Sequence, residues 1–294
     1  DKDCGVNGET CQYNQVDQWI NTRLNQVIIE TRNALDNYRF DHAAQAIYDF
    51  AWNEFCDWYI ELSKVSLQSE DESIQRGARR TLLTVLETLL RLLHPIVPFI
   101  TEEIWQTVEP LLGKSGDTIM LQAYPLVDGN LNNPEAIAEL GWVMNFILGV
   151  RRIRGEMKIK DSKRIPLLLQ GGGDQDQRYL QRNQNYLKKL AGLESIACLQ
   201  VGDVAPESAM SLVGNLKLLI PMAGLIDKES ELARLDTEIS KKQNEIIRAE
   251  EKLNNPKFVD NAPAEVIEKE KAKLADVRAA LNNLQAQREK IRAL

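Results

Sequence analysis

Two histidines, His42 and His94, stand far apart in the sequence, and no Ser-His-Asp set or histidine-based metal site can be assembled from them. The four cysteines, Cys4, Cys11, Cys56 and Cys198, form no C-x-x-C pair, which argues against a structural zinc site. Cys56 falls in an apolar helical run and is expected in the core. Neither G-x-x-x-x-G-K-[ST] nor G-x-G-x-x-G occurs, and Gly171-Gly172-Gly173 reads as a loop after a strand rather than a phosphate cradle. Glu102 and Glu103 are adjacent, so on a helix they point about 100° apart and do not pair for acid–base work. What remains is charge. "RRIRGEMKIKDSKR" (Arg151–Arg164) carries seven basic residues against Glu156 and Asp161, enough to neutralise several phosphates or, alternatively, to complement a helix C-terminus.

These residues need elements to hold them. Trp19, Ile20, Leu24, Val27 and Ile28 recur at helical spacing, as do Ala44, Ile47, Tyr48, Ala51, Trp52, Phe55, Trp58 and Tyr59. The aromatic residues of the second run could stack on bases, but their spacing favours core packing. Asp41 is the expected N-cap of that run. Thr81–Leu93 is apolar on much of its circumference and predicts a central helix, ended by His94-Pro95. His94 is expected as a cap or core residue, and His42 as exposed. Pro98 opens a fourth helix, so residues 1–130 read as a helical bundle.

Gly, Asp, Asn and Pro dominate Gly113–Asn133, broken by an extended Thr118–Tyr124, and a boundary is expected there. Asn133-Pro134 starts another helix. Strands are expected at Arg164–Gln170, Ser195–Val201 and Leu216–Met222, with a polar helix over Asp174–Ala191, making 131–226 a small α/β module. From residue 227, Leu232, Leu235, Ile239, Ile246, Ala249 and Leu253 sit at spacings of three and four, with Lys242 the polar exception. After a break around Pro256–Pro263 the pattern resumes through Ile267, Leu274, Val277, Leu281, Leu284 and Ile291, with Glu270 and Arg288 the exceptions. The 227–294 segment therefore reads as an antiparallel coiled-coil hairpin, with Phe258 and Val259 closing its tip. The fold class is mainly α.

The 294 residues suffice for two or three domains. With 36 basic and 43 acidic residues the net charge is −7, which argues against a generic DNA binder but leaves room for a local basic face. The hairpin segment is balanced at fourteen of each sign, so the deficit lies in residues 1–226. No apolar run reaches the length of a membrane span, and sparse cysteine suggests a reducing, cytoplasmic setting. No initiating Met is present, and the chain reads as a piece of something longer. A rival reading, a structural protein with an oligomerising coiled coil and a docking bundle, is kept open at this point.

"FAWNEFCDWYIELSK" (Phe50–Lys64) and "LLHPIVPFITEEIWQ" (Leu92–Gln106) resemble the anticodon-binding helical domain of class I aminoacyl-tRNA synthetases for branched aliphatic amino acids. "IPMAGLIDKESELARL" (Ile220–Leu235) followed by "NNPKFVDNAPAEVIEKEKAKL" (Asn254–Leu274) is similar to the C-terminal coiled coil of the bacterial valyl-tRNA synthetases. The resemblance implies the C-terminal portion of a valine–tRNA ligase, a family that joins valine to its tRNA using ATP and Mg²⁺. The family signatures H-I-G-H and K-M-S-K-S are absent, so no catalytic residue, cofactor or metal is expected within this chain. The resemblance implies valine tRNA as partner, with Arg248, Lys252, Lys269 and Lys273 at the tRNA corner and Arg151, Arg152, Arg154, Lys158 and Lys160 near its backbone or anticodon region. A monomer is expected, without DNA or membrane partners.

Overall fold

The computed structural model describes residues 3–200, 202–222, 228–254 and 264–293. Helix α1 (Gln15–Asp36) starts where Asn14 accepts hydrogen bonds from the Val16 and Asp17 amides, while the Asp17 carboxylate accepts one from the Asn14 amide. This reciprocal cap satisfies amides that a helix start otherwise leaves unpaired. Its stripe of Trp19, Ile20, Leu24, Val27 and Ile28 is buried. Tyr38, at φ 57°, turns the chain into α2 (Phe40–Asp49). Asp41 does not cap that helix. Arg39 holds the cap position without a side-chain bond, and Asp41 lies in the first turn, paired to the Arg39 guanidinium at 2.8 Å.

The backbone then widens into a π-helical segment, Phe50–Tyr59, and continues as α3 (Ile60–Ser66). This corrects two expectations. In an i→i+5 coil the residues sharing a face are five and four apart. Phe50, Phe55 and Tyr59 are therefore buried, whereas Trp52 and Cys56, four apart, are exposed. Helix α4 (Glu72–Leu93), capped by Asp71, buries Ala78, Thr81, Val85, Leu89 and Leu92. It ends before His94, whose Nδ1 meets the Thr101 hydroxyl at 2.8 Å on α5 (Pro98–Val108). Between α4 and α5, the buried Glu87 carboxylate accepts from Arg91, from Trp105 Nε1 at 3.1 Å and from Lys114 at 3.2 Å. Burial opposes its charge, but these three donors outweigh it and hold the carboxyl below its ordinary range.

Residues 113–133 form short 3₁₀ turns, at Ile119–Leu121 and Gly129–Leu131, rather than an extended stretch. They lie on the bundle. Asn25 and Asp128 exchange two hydrogen bonds, Arg91 donates to the Ala123 carbonyl, and Thr22 donates to the Leu131 carbonyl. These bonds tie the segment to α1 and α4. Helix α6 (Pro134–Glu156), capped by Asn133, packs on α1 and carries the chain onward.

A four-stranded sheet in the order β2-β1-β4-β3 follows. β1 (Ile165–Gly171) runs parallel to β2 (Leu193–Cys198) across α7 (Asp174–Leu190), with Ile165 opposite Leu193. It is antiparallel to β4 (Leu216–Pro221), with Leu168 opposite Leu219. β2 starts two residues before the expected strand, and β3 (Ser208–Val213) was not anticipated. Helix α6 comes so near the sheet at Gly149 that a β-carbon there would sit 3.0 Å from Leu218 and Ser211.

The chain divides into two compact units: residues 1–203 with 210–219, and residues 204–209 with 220–294. The second contains a helical hairpin of α8 (Lys228–Leu253) and α9 (Ala264–Ala293). Asp236 pairs with Arg288, Glu250 with Arg278 and Lys252 with Glu270. Partner numbers fall along α9 as they rise along α8, so the helices are antiparallel. Leu235 and Ile239 are buried, and the remaining apolar positions read from the sequence on α8 are half-buried. This seam, which could have joined two chains, is filled by the chain's own α9. Phe258, Val259 and the Ile291 side chain lie outside the described residues. Among those described, no helix is long and apolar enough to cross a membrane.

Asp17 carries a pH dependence. It is 1 % exposed, and burial pushes its carboxyl from 3.8 up to about 6, against the Asn14 amide and the Tyr59 hydroxyl (2.9 Å), which favour the charge. The folded protein thus binds this proton more readily than the unfolded chain. The resulting stability is fully present below pH 3.8 and is lost as pH rises through 6. Lowering the pH from 7 to 5 should add about 1.4 kcal/mol from this group. Urea unfolding at the two pH values checks it, and Asp17→Asn should remove that increment. An unchanged increment in Asp17→Asn would refute the assignment.

Candidate nucleic-acid interface

The basic run begins on the last turns of α6. On a 3.6-residue coil, Arg152 faces away from the buried stripe of Ile147 and Val150 and Arg151 lies at its margin, whereas Arg154 falls four residues after Val150 and lies on it. Arg151 and Arg152 are exposed accordingly. Arg154 is 6 % exposed, and its guanidinium donates to four carbonyls: Lys160 at 2.7 Å, Lys163 at 3.0 Å, and Asp161 and Gly192 at 3.3 Å. Gly192 (φ 66°) allows this approach, since a β-carbon there would lie 3.3 Å from the Arg154 Nη1. Arg154 is therefore the post around which residues 157–164 wrap, and its charge is directed inward.

The turn that Arg154 fixes displays the other cations. Lys158 takes a left-handed conformation (φ 51°), and Lys158, Lys160 and Arg164 are exposed. With Arg151 and Lys189 they line a cleft of about 720 Å³, in which Asp161 is the acidic member. Arg152 is exposed outside that lining. Arg164 donates to the Lys188 carbonyl at 3.0 Å and Arg151 to the Leu190 carbonyl at 3.3 Å, so both also satisfy the last turn of α7. Arg151 lies over the Trp58 ring, 5.6 Å from its centroid. The cleft can thus hold phosphates against fixed cations, with a ring beside it. The sequence reading missed Lys189, although the basic last turn of a polar helix (Lys188-Lys189) was its visible signal.

On the hairpin, Arg248, Lys252, Lys269 and Lys273 are exposed. Arg248 and Lys252 are four residues apart on α8, and Lys269 and Lys273 four apart on α9, so each pair shares a face. Lys252 is engaged by Glu270, whose carboxyl is held below its ordinary range mainly by that bond, with Lys273 adding to it.

Two other sequence features resolve differently. At Gly171-Gly172-Gly173 the Asp176 carboxylate accepts from the Gly173 amide and from Trp142 Nε1, both at 2.7 Å. A negative charge already sits where an anion would bind. Glu102 caps the turn at Thr118 and Ile119. Among the described residues no three His, Cys, Asp or Glu side chains are grouped to hold a metal.

Residues 17–169, just over half the chain, match the family described as the anticodon-binding domain of tRNA ligase. The chain belongs to this family of tRNA ligases. Residues 227–292 match a second family, the valyl tRNA synthetase tRNA-binding arm. The basic turn 151–164 lies within the anticodon-binding match, and all four hairpin cations lie within the arm match. The two matched domains make tRNA the partner of this synthetase chain.

Proposed function

We propose that this chain is the tRNA-binding C-terminal part of a valine–tRNA ligase, contacting valine tRNA through two surfaces. The observation that carries the reading is the presence on one chain of an anticodon-binding domain and a tRNA-binding arm of valyl type. In the whole enzyme, ATP and Mg²⁺ would serve a catalytic part bearing the H-I-G-H and K-M-S-K-S signatures. This chain alone would bind tRNA without activating valine. The cleft of Arg151, Lys158 and Lys160, with Arg152 beside it, would receive the backbone near the anticodon. Arg248 and Lys273, supported by Lys252 and Lys269, would meet the corner of the L-shaped tRNA. We place the protein in the cytoplasm as a monomer.

Such recognition does not require an excess of positive charge over the whole chain. Folded RNA is read by shape, by unpaired bases and by a few placed phosphate contacts. The test is a gel shift at low salt with valine tRNA, an anticodon-altered valine tRNA and a tRNA for another amino acid. Preferred binding of the first is expected, and failure of all three to bind would overturn the proposal. Arg248→Glu with Lys273→Glu should weaken valine tRNA binding about tenfold or more, because two phosphate attractions become repulsions. Helical content by circular dichroism should stay unchanged, since both side chains are exposed. Unaltered affinity would remove the corner assignment.

A further inference from the structure

The segment leading into α1, residues 3–14, carries two of the four cysteines and contributes no residue to the two cationic surfaces. It is strapped to α4. Arg76 donates to the Thr10 carbonyl at 3.0 Å, Arg79 to the Asp3 carbonyl at 2.7 Å and Arg80 to the Gly5 carbonyl at 3.2 Å. The Gln12 amide donates to the Ser73 carbonyl at 3.0 Å. Between these anchors the chain doubles back. Gly5 and Gly8 take positive φ (72° and 94°), and the Glu9 carboxylate accepts from the Asn7 amide at 3.1 Å. The anchors hold the loop in one shape, and that shape returns Cys11 to Cys4.

The Cys11 thiol donates to the Cys4 carbonyl at 3.8 Å and to the Glu9 carbonyl at 3.7 Å. By standard bond lengths its sulfur is then no more than about 6.5 Å from the Cys4 Cα. The sulfur also rests on the backbone of Gly5, where a β-carbon would collide with it. Cys4 is buried and Cys11 half-buried. Burial pushes the Cys4 thiol up, against the neighbouring Arg79 and Arg80 charges. Cys11 is thus the thiol that meets a reagent from solvent, and Cys4 the one that waits beside it. Cys56 and Cys198 are exposed on separate elements, the π-helical segment and β2.

We infer that Cys4 and Cys11 are a redox-modifiable pair, which closes an intramolecular disulfide on exposure to a low-molecular-weight disulfide such as oxidised glutathione. The Cys11 thiolate attacks one glutathione sulfur, and the other glutathione leaves as its thiolate. Cys4 then loses its proton, and its thiolate attacks the Cys11 sulfur and expels the second glutathione. Two protein thiols are oxidised, and one glutathione disulfide is reduced to two glutathione thiols, which take up the two protons. Rotation about side-chain bonds brings the sulfurs together on a loop that α4 already holds. In a reducing setting the pair stays as thiols, so the bridge is a response to oxidation rather than a permanent staple. The inference does not depend on RNA.

The test treats the whole chain with millimolar oxidised glutathione, blocks remaining thiols with iodoacetamide, unfolds the protein and cuts it with a glutamate-specific protease. Glu9 is the one glutamate between Cys4 and Cys11, so cleavage there separates the two cysteines unless they are bridged. Two fragments joined through Cys4 and Cys11, and released by dithiothreitol, are expected in most of the protein. Cys4→Ser should stop at the first step, with glutathione retained on Cys11. Cys11→Ser should leave Cys4 unmodified over the same time, because its sulfur is buried. Alkylation of both Cys4 and Cys11 in the treated wild type would overturn the inference. So would glutathione retained on wild-type Cys11, or either cysteine joined to Cys56, to Cys198 or to another chain. Cys4 modified in Cys11→Ser as fast as in the wild type would overturn the order of attack.

Discussion

Replacing Arg154 with Met should destabilise the first unit by about 3 kcal/mol. The guanidinium is buried and spans four carbonyls from two separate segments, 160–163 and Gly192. Met keeps most of the apolar stem, so the loss isolates the hydrogen bonds. Several of the abandoned carbonyls would remain shielded and lose their donors without gaining water. Arg154→Lys should rescue little, because an ammonium is a compact three-donor group and lacks the planar fork that reaches carbonyls on both sides. Arg152→Ala, at an exposed position two residues earlier, should change stability by less than about 0.5 kcal/mol. Urea unfolding midpoints measure all three. Amide exchange should locate the damage in residues 157–164, with the rest of α6 still protected. A wild-type midpoint for Arg154→Met would show that the four bonds add nothing net.

Arg154 also shows how much could be read beforehand. It lies at seven and four residues from Ile147 and Val150, the apolar stripe of α6, so helical periodicity alone placed it inward. Counting it with its neighbours as one basic run hid that. On the hairpin the three-and-four spacing identified the seam correctly even at its polar members, Lys242, Glu270 and Arg288, all half-buried. The start of α6 at Asn133-Pro134 and the end of α4 before His94-Pro95 were equally legible, because capping and proline chemistry act over a few residues. Features set by distant partners were not. The seat of residues 113–133 depends on pairs such as Asn25 with Asp128, 103 positions apart. β3 carries Ser208, Ser211 and mixed burial at its place beside β4, so it has no clean alternation to detect. Nothing in "FAWNEFCDWY" distinguishes a π-helical from an α-helical coil, yet that choice decides whether Trp52 and Cys56 are inside or out.

The second large effect concerns what the exposed cations of the basic turn are for. They could complement the C-terminal dipoles of α6 and α7, or they could neutralise RNA phosphates, and the two roles predict different measurements. Arg152→Gln with Lys158→Gln and Lys160→Gln removes three exposed charges and leaves Arg154 and the Arg151–Trp58 contact in place. If the charges serve only the helix ends, stability should drop by about 0.3–1 kcal/mol for each one near a terminus, and tRNA affinity should hold. If they meet phosphates, each lost contact removes about 0.7–0.9 from the slope of log K against log salt. The slope should then become shallower by about two to three, and affinity near physiological salt should fall about a hundredfold. We expect the second pattern, because the cleft gathers cations from two helices around a single acid, Asp161, which is more charge than two helix ends call for. The salt series discriminates where one affinity cannot. A general weakening of the fold would shift all points downward in parallel, whereas loss of phosphate contacts tilts the line. A parallel shift, or no shift, would assign the basic turn to helix stabilisation and move the RNA backbone elsewhere on the surface.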